Sequence, residues 1–337
     1  MSSARASSAR RLRVGLVGWH DFKLADGSNN VVGDAMDEMK KIGVEVLFFA
    51  AARGDRYNVE TLLDPSLALD AVVWWAWGCA SVDFMKALRR ARPDLKSVMY
   101  NWDDPHCRIT AEHWESGRFT EDIYDYVLAS AGENAHLGRY AFPFGTLHPP
   151  VLISRCPCPV RGGAAAERQF EYDIYFACTN LYDGTKDVQT TINRSTVVRM
   201  LSERYGSRFG FFGPEKITKF APASYRRSLT YAETLVEPRK AKVCININGA
   251  DGEGYMNERI CTLLAAGSLI VSNGDVPFTV RAQTEEEFVA AVHKCVFEFN
   301  SDWAWDMRSG ARDYARRNLD SSVWAKRIVD VCEGLCE

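Results

Sequence analysis

The chain has 337 residues, and 47% of them are hydrophobic, which suits two medium-sized domains or one large one. Its 41 basic and 44 acidic residues give a formal net charge of −3, which excludes a general electrostatic attraction to nucleic acid or anionic lipid. No segment approaches the roughly 20 apolar residues of a membrane span. Several of the ten cysteines occupy apparent core positions, among them Cys178, Cys244 and Cys261. This distribution favours a reducing compartment, so we expect a cytoplasmic protein without a transmembrane segment.

The first half of the chain alternates apolar runs with amphipathic stretches. Residues 1–11 are rich in serine, alanine and arginine, and they predict a disordered tail. Apolar runs predict strands at 13–19, 44–49, 71–77, 97–102 and 126–130. Helices are predicted at 29–42 and 81–92. Continuous apolar strands between helices indicate a parallel sheet that is covered on both faces. Residues 12–155 therefore predict a Rossmann-like domain.

The second half repeats this organisation after a linker at 156–170, which prolines, glycines and alanines mark. Strands are predicted at 172–177, 208–212, 242–246 and 268–273. Helices are predicted at 188–205, 232–241, 255–266, 284–297, 303–317 and 321–335. Residues 171–320 thus predict a second Rossmann-like domain, and residues 321–337 predict a C-terminal helix. Two such α/β domains facing each other leave a cleft, which is a favoured place for a ligand.

The segment from Asn246 to Asn273 carries most of the functional information. It predicts a buried strand, a polar loop, a helix that starts near Tyr255, and a second buried strand. The loop contains three glycines that allow a close backbone approach to a ligand, Gly249, Gly252 and Gly254. The helix start offers unpaired N–H groups to an anion, and Asn257 and Arg259 can add hydrogen bonds to phosphate oxygens. The alternative is an ordinary β-α-β unit with a solvated loop.

The same segment carries a family resemblance. The run Asn257-Glu-Arg-Ile-Cys-Thr-Leu-Leu-Ala-Ala-Gly267, before an apolar strand, resembles the carboxyl domain of GT-B glycosyltransferases. It is most similar to the spore-maturation-protein-like (glycosyltransferase family 1-like) branch, whose pattern is Asn-x-Arg-x-Phe-Glu-x-x-Ala-x-Gly. Trp102-Asp-Asp-Pro105 and His148-Pro-Pro-Val151 resemble segments of the amino domain. The likeness extends over nearly the whole chain from Leu12 onward.

The resemblance implies two Rossmann-like domains and transfer of a sugar from a nucleotide-sugar donor. It implies donor-binding roles in the carboxyl domain for Asn180, Gly213, Asn248, Glu253, Gly254, Tyr255, Asn257, Glu258 and Arg259. It also implies that no metal and no cofactor beyond the donor co-substrate is needed. One departure concerns the glutamate that binds the donor ribose in many GT-B enzymes, because Thr262 stands at that position. Glu258 lies one turn earlier, nearer the expected phosphates.

Candidate catalytic residues follow predicted strands of the amino domain. His20 comes after the first strand, and a histidine can accept the proton of an acceptor hydroxyl as its oxygen attacks the sugar. Asp103 and Asp104 close the fourth strand, where either could act as the base, orient His20 or bind an acceptor hydroxyl. The alternatives are a loop histidine that caps a turn and an Asp-Pro turn start.

Other motifs are weaker. Three histidines and three cysteines could suggest a zinc site, namely His106, Cys107, His113, His148, Cys156 and Cys158. Their spacing fits no standard zinc site. The run Gly15-Leu-Val-Gly18 lacks the dinucleotide fingerprint. The expected partners are a nucleotide sugar and a glycan or small-molecule acceptor, and not a nucleic acid. A non-catalytic GT-B-like binding protein and a nucleotide-sugar epimerase are the alternatives.

Overall fold

The computed structural model describes residues 11–18, 27–50, 57–75, 79–101, 123–130, 144–153, 170–181, 192–248 and 254–336. These residues form two parallel β-sheets with flanking helices, which confirms the predicted α/β fold. In each sheet the first strand lies between the second and the third strand of that sheet. Later strands are therefore added first on one side of the initial strand and then on its other side, so the strand order reverses once in each sheet. Within the described residues, no helix combines the length and apolar character that crossing a bilayer requires.

The first sheet has the order β2-β1-β3-β4-β5-β6, and every pairing in it is parallel. Its strands are β1 (Arg13–Gly18), β2 (Glu45–Ala50), β3 (Ala71–Trp74), β4 (Lys96–Asn101), β5 (Tyr126–Ala129) and β6 (Phe144–Thr146). The helices beside it are α1 (Val31–Lys41), α2 (Tyr57–Glu60) and α3 (Val82–Ala91). The central strands are buried almost throughout, because helices cover both faces of a parallel sheet. The side chains of Asn30 and Ser81 cap α1 and α3.

The second sheet has the order β11-β10-β9-β7-β8 and is also parallel. Its strands are β7 (Tyr172–Ala177), β8 (Phe209–Phe212), β9 (Ala241–Asn246), β10 (Leu269–Ser272) and β11 (Val280–Arg281). The helices that follow or flank them are α4 (Arg194–Tyr205), α5 (Tyr231–Thr234), α6 (Glu258–Ala265), α7 (Glu285–Phe297) and α8 (Asp302–Asn318). Phe176, Phe209, Phe211 and Phe288 are fully buried in its core.

A last helix, α9 (Ser321–Cys336), packs against the first sheet although it follows the second sheet in the chain. Trp324 is 1% exposed, and its ring centroid lies 4.8 Å from that of Trp75 and 5.4 Å from that of Tyr100. α9 also packs along α1. The core of the first sheet is therefore completed by residues that lie far away in sequence.

Two adjacent segments connect the two sheets. The N–H of Val151 donates to the carbonyl of Leu319 at 2.9 Å, and the N–H of Ser321 donates back to the carbonyl of Val151 at 2.9 Å. The carboxylate of Asp320 accepts hydrogen bonds from the N–H groups of Ile153 at 3.3 Å and Ser322 at 2.9 Å. These bonds hold the segment after β6 against the segment between α8 and α9.

Several predicted boundaries differ from the structure. The helix predicted at 188–205 begins at Arg194, because the side chain of Asn193 caps it by accepting the N–H of Thr196. The helix predicted at 232–241 is α5 followed by a short 3-10 turn at Glu237–Lys240. Strands β6 and β11 were not predicted, since runs of three and two residues leave no readable alternation.

Candidate functional site

Open α/β sheets bind ligands at the carboxyl ends of their strands, where the strand order reverses. In the second sheet this point lies between β7 and β9, because β8 pairs with β7 on one side and β9 pairs with it on the other. Two arginines occupy this point: Arg259, in the first turn of α6, and Arg194, at the start of α4.

Arg259 binds the ends of both strands. Its Nη1 donates to the carbonyl of Ala177 at 2.9 Å, at the end of β7. Its Nη2 donates to the carbonyl of Ile247 at 2.8 Å, and its Nε donates to Oδ1 of Asn246 at 2.8 Å, at the end of β9. The guanidinium carbon lies 5.0 Å from the ring centroid of Phe176. The sequence suggested direct bonds to phosphate, whereas these protein acceptors make Arg259 first of all a link between two strand ends.

Arg194 reaches the same point from the other side. Its Nε donates to the carbonyl of Ile247 at 2.9 Å, so that one carbonyl accepts from both arginines. Its Nη1 donates to the carbonyl of Asn180 at 3.0 Å. Burial raises the pKa of the nearby Cys178 thiol, and both arginines oppose that shift. Two positive charges thus lie at the switch point, where an anion would be stabilised.

The helix α6 begins three residues later than the sequence suggested. It starts at Glu258 and not near Tyr255, because Asn257 is its N-cap and accepts the N–H of Ile260 at 2.9 Å through Oδ1. Gly254 has a φ of 65°, a left-handed conformation that favours glycine, and it turns the chain before the helix. The N–H of Met256 donates to the carbonyl of Ser130 at 3.2 Å, just after β5. The carboxyl edges of the two sheets therefore meet at this loop.

A network of asparagines joins the ends of β9 and β10. Nδ2 of Asn246 and Nδ2 of Asn257 both donate to Oδ1 of Asn248, at 2.9 and 2.8 Å. The N–H of Asn248 donates to Oδ1 of Asn273 at 2.7 Å. Asn248 is completely buried, yet its Nδ2 has no acceptor within the described part of the chain. Leaving such a group unsatisfied costs about 1–3 kcal/mol, so this amide calls for an explanation.

Residues of α6 lie near Tyr100, at the end of β4 in the first sheet. Burial raises the pKa of Tyr100 well above its ordinary value, and nearby Cys261 and Glu258 raise it further. Burial also raises the pKa of Glu258, although part of this side chain stays exposed. The hydroxyl of Thr262 donates to the carbonyl of Glu258 at 2.9 Å and is buried. The residue at the expected ribose position therefore satisfies its hydrogen bond within the helix.

Gly213 and Asn180 lie beside the same strand ends. A Cβ on Gly213 would lie 2.2 Å from the carbonyl oxygen of Cys178, so close packing of the ends of β7 and β8 requires glycine here. Asn180 is exposed, and its carbonyl accepts from Arg194. Tyr255 is half-buried in the loop before α6.

The loop after β10 borders the network and contains a strained residue. Phe278 has a φ of 59°, which a bulky side chain rarely adopts. Its ring packs beside Gly310 of α8, where a Cβ would lie 2.2 Å from the ring, and its centroid lies 6.2 Å from that of Tyr314. The packing against α8 holds the loop in this conformation.

Some predicted site residues lie outside the described part of the chain: His20, Asp103, Asp104 and Glu253. Of the residues considered for zinc, only His148 is described, and burial lowers its pKa. Across the described ranges, no group of three or more His, Cys, Asp or Glu residues is arranged to hold a metal ion.

The sequence alone did not indicate Arg194, Asn246 and Asn273 as site residues. Polar side chains at the ends of buried strands were the available signal for both asparagines. No local pattern distinguishes Arg194, because its carbonyl partners lie on other loops.

No protein-family model matches the sequence, and no curated protein matches it. Solved structures do match. A glycosyltransferase from Rickettsia africae ESF-5 aligns with a TM-score of 0.60 and 9% identity, over 97% of this chain and 99% of that chain.

Two further structures match over similar lengths. An alpha-glucosyltransferase in complex with UDP and a 13-mer DNA containing an HMU base aligns with a TM-score of 0.59 and 12% identity, over 96% of this chain and 99% of that one. An alpha1,3-fucosyltransferase aligns with a TM-score of 0.54 and 11% identity, over 99% and 93%. With its two parallel sheets and flanking helices, the chain has the fold of the GT-B glycosyltransferases.

Proposed function

We propose that this protein is a glycosyltransferase that moves a sugar from a nucleotide-sugar donor to a hydroxyl of a glycan or small-molecule acceptor. The observation that carries the proposal is the positively charged switch point of the second sheet, where Arg194, Arg259 and the start of α6 converge. It is supported by the whole-length likeness to transferases, one of them in complex with UDP and another with GDP.

In this proposal the donor diphosphate lies at the start of α6. The helix dipole and the two arginines stabilise the negative charge that develops on the leaving nucleotide as the glycosidic bond to phosphate breaks. Arg259 acts mainly through its charge and by holding the strand ends, since three of its five N–H donors bind protein acceptors. Gly254 lets the backbone approach the phosphates. Asn180, Gly213, Glu253, Tyr255 and Glu258 are proposed to complete the donor site.

The acceptor is proposed to bind on the side of the first sheet. Its hydroxyl oxygen attacks the anomeric carbon while His20 takes the proton, and Asp103 or Asp104 orients the imidazole or replaces it as base. The loop before α6 meets the end of β5 at Ser130, so the two substrates would come together where the two sheets face each other.

Finer assignments belong to the same proposal. We place the protein nearest the spore-maturation-protein-like branch and expect a hexosyl or pentosyl donor. We expect no metal requirement, because guanidinium groups and a helix start can neutralise a diphosphate. A cytoplasmic location is proposed because buried cysteines such as Cys178 and Cys244 are free thiols.

One observation favours a second candidate, a non-catalytic GT-B-like binding protein. Thr262 supplies no carboxylate for the ribose hydroxyls, and its own hydroxyl is bound to the carbonyl of Glu258. A nucleotide-sugar epimerase would differ from both candidates, because it would interconvert the free donor without an acceptor.

The deciding experiment is a thermal-shift screen with UDP, GDP, CDP, dTDP and their common sugars, followed by a donor-hydrolysis assay. A ligand that binds only the folded state stabilises it by about 2.7 kcal/mol at a hundred times its dissociation constant. A shift with one nucleotide and release of that nucleotide from its sugar would support transfer. A cooperative melt that no nucleotide shifts would favour the binding protein.

A further inference from the structure

The hydrogen bonds around Asn248 determine which way its amide points. Oδ1 of Asn257 accepts the N–H of Ile260, so the other amide atom of Asn257, its Nδ2, is the one that donates to Asn248. Oδ1 of Asn246 accepts Nε of Arg259, so Nδ2 of Asn246 is likewise a donor to Asn248. Two donors therefore meet Oδ1 of Asn248. A flipped amide would place its Nδ2 against both of them, and this orientation is excluded.

This orientation leaves Nδ2 of Asn248 on the other side, next to the loop after β10. A Cβ on Gly274 would lie 2.7 Å from this nitrogen, so glycine is needed for the close approach. The nitrogen is buried, and among the described residues it has no hydrogen-bond acceptor. A donor is thus held between the ends of β9 and β10, next to the residue that caps α6, and no described residue is its partner.

The surrounding charge indicates what the missing acceptor is. The network that orients Asn248 includes Arg259 directly, and Arg194 shares the carbonyl of Ile247 with Arg259. The positive end of α6 lies beside the same network, because Asn257 is both its cap and a donor to Asn248. An acceptor that enters this environment gains most if it is anionic.

We propose that Nδ2 of Asn248 donates a hydrogen bond to a phosphate oxygen of a nucleoside diphosphate. This inference rests on the proposed function and assigns one specific contact within that site. Nδ2 of Asn248 can only donate, so it requires an acceptor atom, and the nearby positive charges favour a phosphate oxygen over a neutral acceptor. The bound phosphate also supplies an acceptor to the amide nitrogen, for which the described residues offer none.

The substitution Asn248→Asp tests the contact with little change in shape. Its carboxylate still accepts from Asn246 and Asn257, but an oxygen replaces the free nitrogen. The measurement is isothermal titration calorimetry with UDP, GDP, CDP and dTDP, on variants whose cooperative melt has been checked. We expect the dissociation constant of whichever nucleotide binds the wild-type protein to rise at least tenfold. The matched control Asn318→Asp adds the same charge at the exposed end of α8, and its affinity should stay unchanged.

Each outcome decides the inference. A rise of less than tenfold in Asn248→Asp would overturn it and leave the proposed function in place. Retained binding would be expected if a sugar hydroxyl lay there, since a hydroxyl can donate to the new carboxylate. If the aspartate variant does not fold, Asn248→Ala replaces it with the same threshold. A wild-type protein that binds none of the four nucleotides would overturn both the contact and the proposed function.

Discussion

Replacing Arg259 by alanine should destabilise the second sheet as well as weaken any anion binding. The substitution removes the donors to Ala177, Ile247 and Asn246. The carbonyl of Ile247 keeps Nε of Arg194, so two acceptors lose their charged donor. Each hydrogen bond to a charged group contributes about 1.5–3 kcal/mol, which predicts a loss of about 3–6 kcal/mol. The contact with Phe176 adds about 0.5–1 kcal/mol.

Thermal unfolding followed by circular dichroism measures this loss. In a chain of this size one kcal/mol corresponds to about 2 °C, so the total loss of about 3.5–7 kcal/mol should lower the transition by about 7–14 °C. Arg317→Ala removes an arginine from the exposed end of α8 and should change the melting temperature little. If Arg259→Ala melted together with Arg317→Ala, the argument that this guanidinium holds the strand ends would be refuted.

Three further predictions concern packing, charge and capping. Gly310→Ala should lower the melting temperature because its Cβ would lie 2.2 Å from the Phe278 ring. Gly334→Ala should raise the melting temperature, because no heavy atom of the described residues lies within 4 Å of a Cβ at Gly334 and alanine favours a helix over glycine. Equal shifts of the melting temperature in the Gly310 and Gly334 variants would contradict the close packing of Gly310 against Phe278. Glu258→Gln should raise the unfolding free energy at neutral pH. Burial raises the pKa of Glu258 in the folded state, so the wild-type protein loses stability as the pH rises above 4.5, the pKa in the unfolded state. Urea titrations in which both proteins show the same pH dependence would contradict this prediction. Asn257→Ala should cost about 1 kcal/mol through the lost cap of α6, and a guanidinium chloride midpoint equal to that of the wild type would rule the cap out.

Much of the fold could be predicted from the sequence because its strands are buried on both faces. Runs such as those of β1 and β9 are mainly apolar and buried almost throughout, and amphipathic segments follow such runs. This pattern depends only on neighbouring residues, so it predicts the order of strands and helices. Boundaries were less accurate where a cap decides them, as with Asn193 before α4 and Asn257 before α6.

The contacts within the candidate site could not be predicted in the same way. The sequence places Arg259 at a helix start, where a free guanidinium facing phosphate is the simplest expectation. Its acceptors belong to β7 and to the end of β9, and Ala177 lies 82 residues away along the chain. A one-dimensional pattern does not contain such pairings. The orientation of the Asn248 amide likewise follows only from the partners of its neighbours.

The position of α9 has a consequence for folding during synthesis on the ribosome. Trp324 packs among Trp75 and Tyr100 in the core of the first sheet, but it is translated after every strand of both sheets. Until α9 emerges, the first sheet lacks the helix that closes one face of its core. The elements of the second sheet are contiguous from β7 to α8 and need no later segment for their own core. Domains usually fold in the order in which they are made. Here we expect the second sheet to reach its native packing before the first.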